Sequence, residues 1–392
     1  MGVDMAVGTG WPIGGPQVIE QDAATKMIVQ TYDIQANEKF SDKIVLKDEK
    51  QKNLKTVKLD IITAYNDKNE VVVLTDKVSQ DGTLNWKPIS GKWVMYAVFT
   101  GKTLQKVKRA APGGEGYTLD HFSPDATKDY LRSFDKAFGN SNYGIRSFFN
   151  DSYEVYNADW TAGFKDEFKK RRGYDLSPYI KYLVSDNESE IAGRIKSDYR
   201  ETMSELILHN FTEKFTNWAH SKNSNNTNQA HGSPGNLLDL YAAVDIPESE
   251  TFGSTKFDIE GLKRNVEDIN TKEVPDINML KFASSAANVM GKRLISNESF
   301  TWLTEHFKTS WSQVKPEAEQ IFLSGINHIF YHGVPYSPPQ EAYPGWLFYA
   351  STNFNQQSHF WHELYFLNEY IARCQARLQE SKAQNDVLLY FP

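Results

Sequence analysis

Cysteine is almost absent. Cys374 is the only one in 392 residues, which excludes an internal disulfide framework and a cysteine-rich zinc site. No apolar run reaches the roughly 18–20 residues that a membrane span needs. A basic surplus is also missing. With 43 Lys and Arg against 50 Asp and Glu, the net charge is -7, and no excess of cations exists to displace the counterions of a nucleic acid. Gly113-Gly114-Glu115-Gly116 lacks the Lys-Ser/Thr of a phosphate-cradling loop and leads toward a strand rather than a helix. Gly232 abuts Ser233 directly, so the G-x-S-x-G elbow of a serine hydrolase is missing too. No charged segment followed by an apolar one, as in a secretion signal, precedes Val3.

Aromatic residues, by contrast, are abundant. Nine Trp, 20 Tyr and 23 Phe make up 13% of the chain, within an otherwise ordinary globular composition of 40% hydrophobic and 24% charged residues. Flat rings fill cores, and they also stack on the C–H faces of sugars. Position along the chain has to separate the two uses.

Three regions differ in rhythm. Residues 1–30 read as a strand through Val3, Met5 and Val7, a Gly/Pro-rich loop at Gly8–Pro16, and a helix or extended return near Ala23–Val29. Residues 31–108 alternate at Val57, Leu59 and Ile61, at Val71 and Val73, and from Trp93 to Phe99, with turn residues between. They read as a small antiparallel β subdomain inserted in the fold. From residue 109 to 392 the pattern is strand, polar loop, helix. Strands are expected at Gly116–Asp120, Ile145–Asn150, Thr227–His231, Ala243–Pro247, Lys292–Asn297 and Asn327–Tyr331. The clearest helix carries Ile191, Ile195, Tyr199, Met203, Ile207, Phe211 and Phe215 at four-residue steps, and a second runs from about Asp159 to Arg172 with Gly173 as its stop. Repeated strand–helix units predict an α/β fold, most simply a (β/α)8 TIM-type barrel. The opening strand brings the count to seven, so the barrel is expected to lack its first strand. Val387–Pro392 is a further apolar, strand-like run. Apolar strands at both ends lead us to expect a fragment of a longer protein.

Barrel chemistry sits at the C-terminal ends of strands, and four expected strand ends carry carboxylates. They are Asp120, the run Asp151 to Glu154, the pair Glu248 and Glu250, and Glu298. Two acids across a pocket suit glycoside hydrolysis, one donating a proton to the leaving oxygen and the other activating water. Tyr153, Phe300 and Trp302 stand beside these acids and offer both a stacking platform and a desolvated setting. Capping or ion pairing explains any single acid equally well. His231, His328 and His332 fall in or just after strands, where bonding to sugar hydroxyls or to core groups is favoured over zinc. An oxygen-only calcium site using Asn150, Asp151 or Glu248 is an open alternative. Lys169–Arg172 ends a helix, where the dipole accounts for the positive charge.

Several long motifs resemble glycoside hydrolase family 106, the α-L-rhamnosidases. They include GTGWPIGGP at Gly8–Pro16, KRAAPGGEGYTLDHF at Lys108–Phe122, FNDSYE at Phe149–Glu154 and QAHGSPGNLLDLY at Gln229–Tyr241. They continue with IPESE at Ile246–Glu250, NESFTWLTEHF at Asn297–Phe307 and GINHIFYHGVPYSP at Gly325–Pro338. The resemblance implies a (β/α)8 catalytic domain, calcium dependence, and inverting release of terminal α-L-rhamnose from plant or microbial polysaccharide. Carried onto this chain, it implies Glu154 as general acid and Glu298 as base. Glu248 and Glu250 are rival bases or ligands, and Trp11, Asp120, His231, Trp302 and His332 are substrate contacts. It also implies export, to the periplasm or beyond. The alternative reading is a non-catalytic or degenerate carbohydrate-binding barrel, prompted by the missing strand.

Overall fold

The computed structural model describes residues 2–139, 141–186, 188–253, 257, 260–261, 276–302, 307–348 and 352–389. They form two compact units. One comprises residues 1–146, 153–224 and 232–236, and the other residues 147–152, 225–231 and 237–392.

In the first unit, four antiparallel strands lie in the order Thr25–Ile34, Trp93–Lys102, Lys58–Asn66, Val71–Val73. Alternation at Trp93, Met95, Ala97 and Phe99 puts these side chains on one face, where they pack with Ile34, Ile62, Ala64, Leu74 and Leu84. The extended return expected near Ala23–Val29 is the first of these strands, so the sheet begins at Thr25. The four-residue stripe folds as the helix Glu190–Ile207, a π turn at Leu208–Thr212 and the helix Glu213–Ser221. Its residues from Ile195 to Phe215 are buried, whereas Ile191 is exposed. The second helix is shorter than expected, Phe164–Arg172, and ends at Gly173 with φ +81°. Arg171 and Arg172 pair with Glu205, so this basic cluster is a helix-to-helix clamp.

Gly116–Asp120 is not a barrel strand. Its Tyr117–Thr118 pairs antiparallel to Gly14–Gly15, and Leu119 bridges Ala23, also antiparallel. Val3–Ala6 does form a strand and stands beside the start of Ile145–Asn150, where the Arg146 guanidinium forks onto the Asp4 carboxylate.

The second unit holds the parallel sheet of an α/β fold. Its strands run Ile145–Asn150 (from Ser147 onward), Asn225–Gln229, Ile246–Phe252, Ser296–Thr301 and His328–Tyr331, each paired with the next in parallel. The helices Leu237–Ala242, Ile277–Val289, Trp311–Leu323 and Leu364–Glu380 follow strands. Several of these strands are polar yet buried, because neighbours satisfy one another. Ser147 bonds Thr227 (2.6 Å), Asn150 donates to Asn228 (2.6 Å) and Ser249 donates to Asn297 (2.8 Å). Two strands run later than expected, so Glu248, Glu250 and Glu298 lie inside them rather than beyond their ends. Residues 387–389 are exposed and take no strand, and 390–392 lie outside the described residues. No helix among the described residues is long and apolar enough to cross a membrane.

Candidate active site

Register brings the acids of the second unit together. Gln229 stands opposite Glu248, Glu248 opposite Ser296, and Glu250 opposite Glu298. Side chains two apart on a strand share a face, so all five project to one side of the sheet. One side-chain amide links two acids. Gln229 Nε2 donates to Glu298 Oε2 at 2.8 Å and to Glu248 Oε1 at 3.1 Å. Ser296 Oγ donates to the other oxygen of Glu248 (2.7 Å), which fixes that carboxyl at both ends.

A bulge holds Glu298 from the far side. Pairing between the Ile246 and Ser296 strands slips after Glu250, and Phe300 takes φ +68° there. The kink returns Thr301 toward its own strand, and Thr301 Oγ1 donates to Glu298 Oε1 at 2.8 Å. His332, one residue past its strand, places Nδ1 3.5 Å from the same oxygen. His231, two residues past its strand, places Nε2 2.7 Å from Glu250 Oε2.

Crowded, buried carboxylates resist ionisation. Burial pushes Glu248 up to about 8, and the charges of Glu298 and Asp151 add to it. Burial, then the charge of Glu298, pushes Asp151 up to about 6, opposed by His231 and His332. Burial and the neighbouring Glu250 raise Glu298 as well, opposed by His332, Gln229 and Thr301. Near neutrality the cluster therefore holds protons that ordinary carboxyls would have released. Such a setting can take a proton from water or return one.

The remaining expected residues sit elsewhere. Glu154 belongs to the first unit, half-buried, with its carboxylate on the Lys108 ammonium and accepting from Tyr156 Oη at 2.9 Å. Trp11 bridges Lys108 through its backbone, and the Lys108 ammonium lies 5.8 Å from its ring. Asp120 is buried within the first unit. It accepts from Thr161 Oγ1 (2.8 Å) and the Phe122 amide (3.0 Å), which is the work of a structural carboxyl. Trp302 is fully buried among Phe300, Val314, Ala318 and Phe354, leaving no face for a sugar. Hydropathy failed to separate these two from binding residues, because buried and ligand-facing residues share the same chemistry. Gln229 and Thr301 were missed as site residues. Their only signal in the sequence is a polar residue at or near the end of a strand.

Among the described residues, no group of three or more His, Cys, Asp or Glu is arranged to hold a metal ion, and the carboxyl oxygens of Glu248 and Glu298 accept from side-chain donors.

The family profile described as alpha-L-rhamnosidase matches residues 26–392. A rhamnosidase from Novosphingobium sp. PP1Y has the same fold over 82% of this chain and 31% of its own, with a TM-score of 0.64 and 24% identity. A Formosa agariphila protein named "Putative beta-glucuronidase" is 29% identical over 337 residues, 82% of this chain and 27% of that protein. The chain thus spans less than a third of the length of either relative. With nearly its full length matched, the chain belongs to the α-L-rhamnosidase family of glycoside hydrolases, family 106.

Proposed function

We propose that this chain supplies the catalytic domain of an exported, inverting α-L-rhamnosidase that removes terminal rhamnose from plant or microbial polysaccharide. Its parallel sheet is the larger part of a (β/α)8 barrel lacking the first strand, with the antiparallel sheet as an inserted subdomain. The observation that carries the reading is the cluster of Glu248, Glu250 and Glu298, fixed by Gln229, Ser296, Thr301 and the two imidazoles, with Asp151 electrostatically coupled to it.

Glu298 is the base. Its donors orient both oxygens, and its raised affinity for a proton suits it to take one from water as that oxygen attacks the anomeric carbon. Glu154 is the acid that protonates the leaving oxygen, with Lys108 and Tyr156 setting its position. Glu250 and Glu248 stand behind Glu298 as rival base and positioning carboxyl. His231 and His332 are donors to sugar hydroxyls. A neutral 6-deoxy sugar suits this setting better than a uronate. The charges acting most strongly on Asp151, Glu248 and Glu298 are carboxylates and two imidazoles. Calcium dependence rests on the family resemblance alone, and the acid cluster is not offered as its ligand set.

The test is release of aryl alcohol from an aryl α-L-rhamnoside and from an aryl β-D-glucuronide, with and without a calcium chelator. Turnover of the rhamnoside alone is expected. Binding without turnover of either would favour the non-catalytic reading.

A further inference from the structure

The loop that begins at His332 does more than close the sheet. Its return brings the Phe348 ring against the His332 imidazole, with centroids 4.9 Å apart. Backbone bonds lace its start to the segment that follows. Gly333 N donates to Thr352 O (3.1 Å) and Phe354 N donates to Gly333 O (3.0 Å). Asn355 Nδ2 adds a bond to Pro335 O at 3.2 Å. Between these segments lies a cleft of about 410 Å³, lined by Tyr336, Pro339, Asn355, Gln356, Gln357 and Trp361, among others.

The lining is chemically specific. Two aromatic side chains and three side-chain amides meet there, and among the described residues no Lys, Arg, Asp or Glu does. A phosphate or carboxylate would find no counter-charge. A hydroxyl-rich neutral ring finds apolar faces for its C–H groups and donors and acceptors for its edge. The walls are also held in place. Asn355 Oδ1 accepts from Gln357 N (3.1 Å), and Ser337 Oγ accepts from Trp346 N (3.1 Å). Trp346, 55% exposed, stands edge-on to the 71% exposed Tyr336. The turn needs Gly345, whose φ is +76° and where a Cβ would come within 2.2 Å of Ser337 Oγ. An exposed aromatic pair kept by such a turn costs apolar exposure that a plain connection would avoid.

We infer that the Tyr336–Trp361 cleft is a second saccharide site, which binds a neutral pyranose of the substrate chain beyond the sugar being removed. The inference rests on the rhamnosidase reading for the identity of the chain, while the cleft's preference for a neutral pyranose stands on its lining. Within the second unit, the cleft begins two residues from His332, so one oligosaccharide can engage both.

Two exposed-side variants test it, Tyr336→Ala and Gln356→Ala, with Trp361→Phe as a milder third. The readout is the ratio of kcat/KM for a neutral trisaccharide bearing terminal α-L-rhamnose to that for an aryl α-L-rhamnoside. The expected result is a fall of roughly tenfold in that ratio for Tyr336→Ala. An unchanged ratio in all three folded variants overturns the site. Equilibrium binding of the same trisaccharide separates this inference from the proposed activity. If the protein turns over neither substrate but binds the trisaccharide, and Tyr336→Ala weakens that binding, the activity fails and the cleft stands. Equal binding by wild type and all variants removes the cleft.

Discussion

Gln229 divides one amide nitrogen between two acids, Glu298 at 2.8 Å and Glu248 at 3.1 Å. Its hydrogen bonds favour the charged forms of both, against burial that favours the neutral ones. Gln229→Leu removes those donors, so Glu298 should ionise at higher pH. If Glu298 is the base, the acidic limb of the kcat/KM profile moves up by about one to two pH units, since a bond to a charged group is worth about 1.5–3 kcal/mol. A pH–rate profile over pH 4–9 reads this directly, and an unmoved limb would place the base elsewhere.

Glu154 should show its role through the leaving group. As general acid it matters most when the departing oxygen is basic. Glu154→Gln is expected to cost about 100-fold or more on a sugar leaving group and far less on a dinitrophenyl one. Equal losses on both would mean that Glu154 acts by positioning, consistent with its grip on Lys108 and Tyr156.

Asp120 distinguishes a structural carboxyl from a substrate ligand. Its bonds to Thr161 and Phe122 lie inside the first unit, where buried Lys102 donates to the carbonyls of Gln21 and Ala23. Asp120→Ala leaves Thr161 and the Phe122 amide without that acceptor, and should cost about 1–3 kcal/mol. Urea unfolding checks the stability. KM for an aryl rhamnoside in the folded fraction should barely move, whereas a rise of tenfold would restore the binding role.

Glu317 offers a test of pH linkage away from the site. It lies buried on the helix Trp311–Leu323, neither oxygen has a hydrogen-bond partner, and burial pushes it up to about 8. A raised carboxyl keeps its proton in the folded state while the unfolded chain has already lost it. Its stabilising contribution is therefore complete below about pH 4.5 and falls as pH rises toward 8. Glu317→Met should remove that decline, raising stability at pH 7–8 by on the order of a few kcal/mol and changing little at pH 4. Thermal unfolding at both pH values checks the sign.

Much of this was legible in the sequence, and the failures share one cause. Alternation at Trp93–Phe99 and the four-residue stripe from Ile195 to Phe215 announced themselves because apolar side chains make both the pattern and the core. The ends of Ile246–Phe252 and Ser296–Thr301 did not, since the buried residues there are mostly Glu, Ser and Thr. Polar strands look like loops to a hydropathy reading, so two strand ends were placed short of Glu248, Glu250 and Glu298. The acids themselves were visible. Their fixing by Gln229 and Thr301 was not, because it depends on register and on the bulge at Phe300.

The most direct measurement of the central claim is the anomer first released from an aryl α-L-rhamnoside, followed by proton NMR in wild type and in Glu298→Gln. The account predicts β-L-rhamnose as the initial product of the wild type, and near-total loss of turnover in a Glu298→Gln protein that unfolds at the wild-type temperature or above. Initial release of α-L-rhamnose, or undiminished turnover in Glu298→Gln, would contradict it.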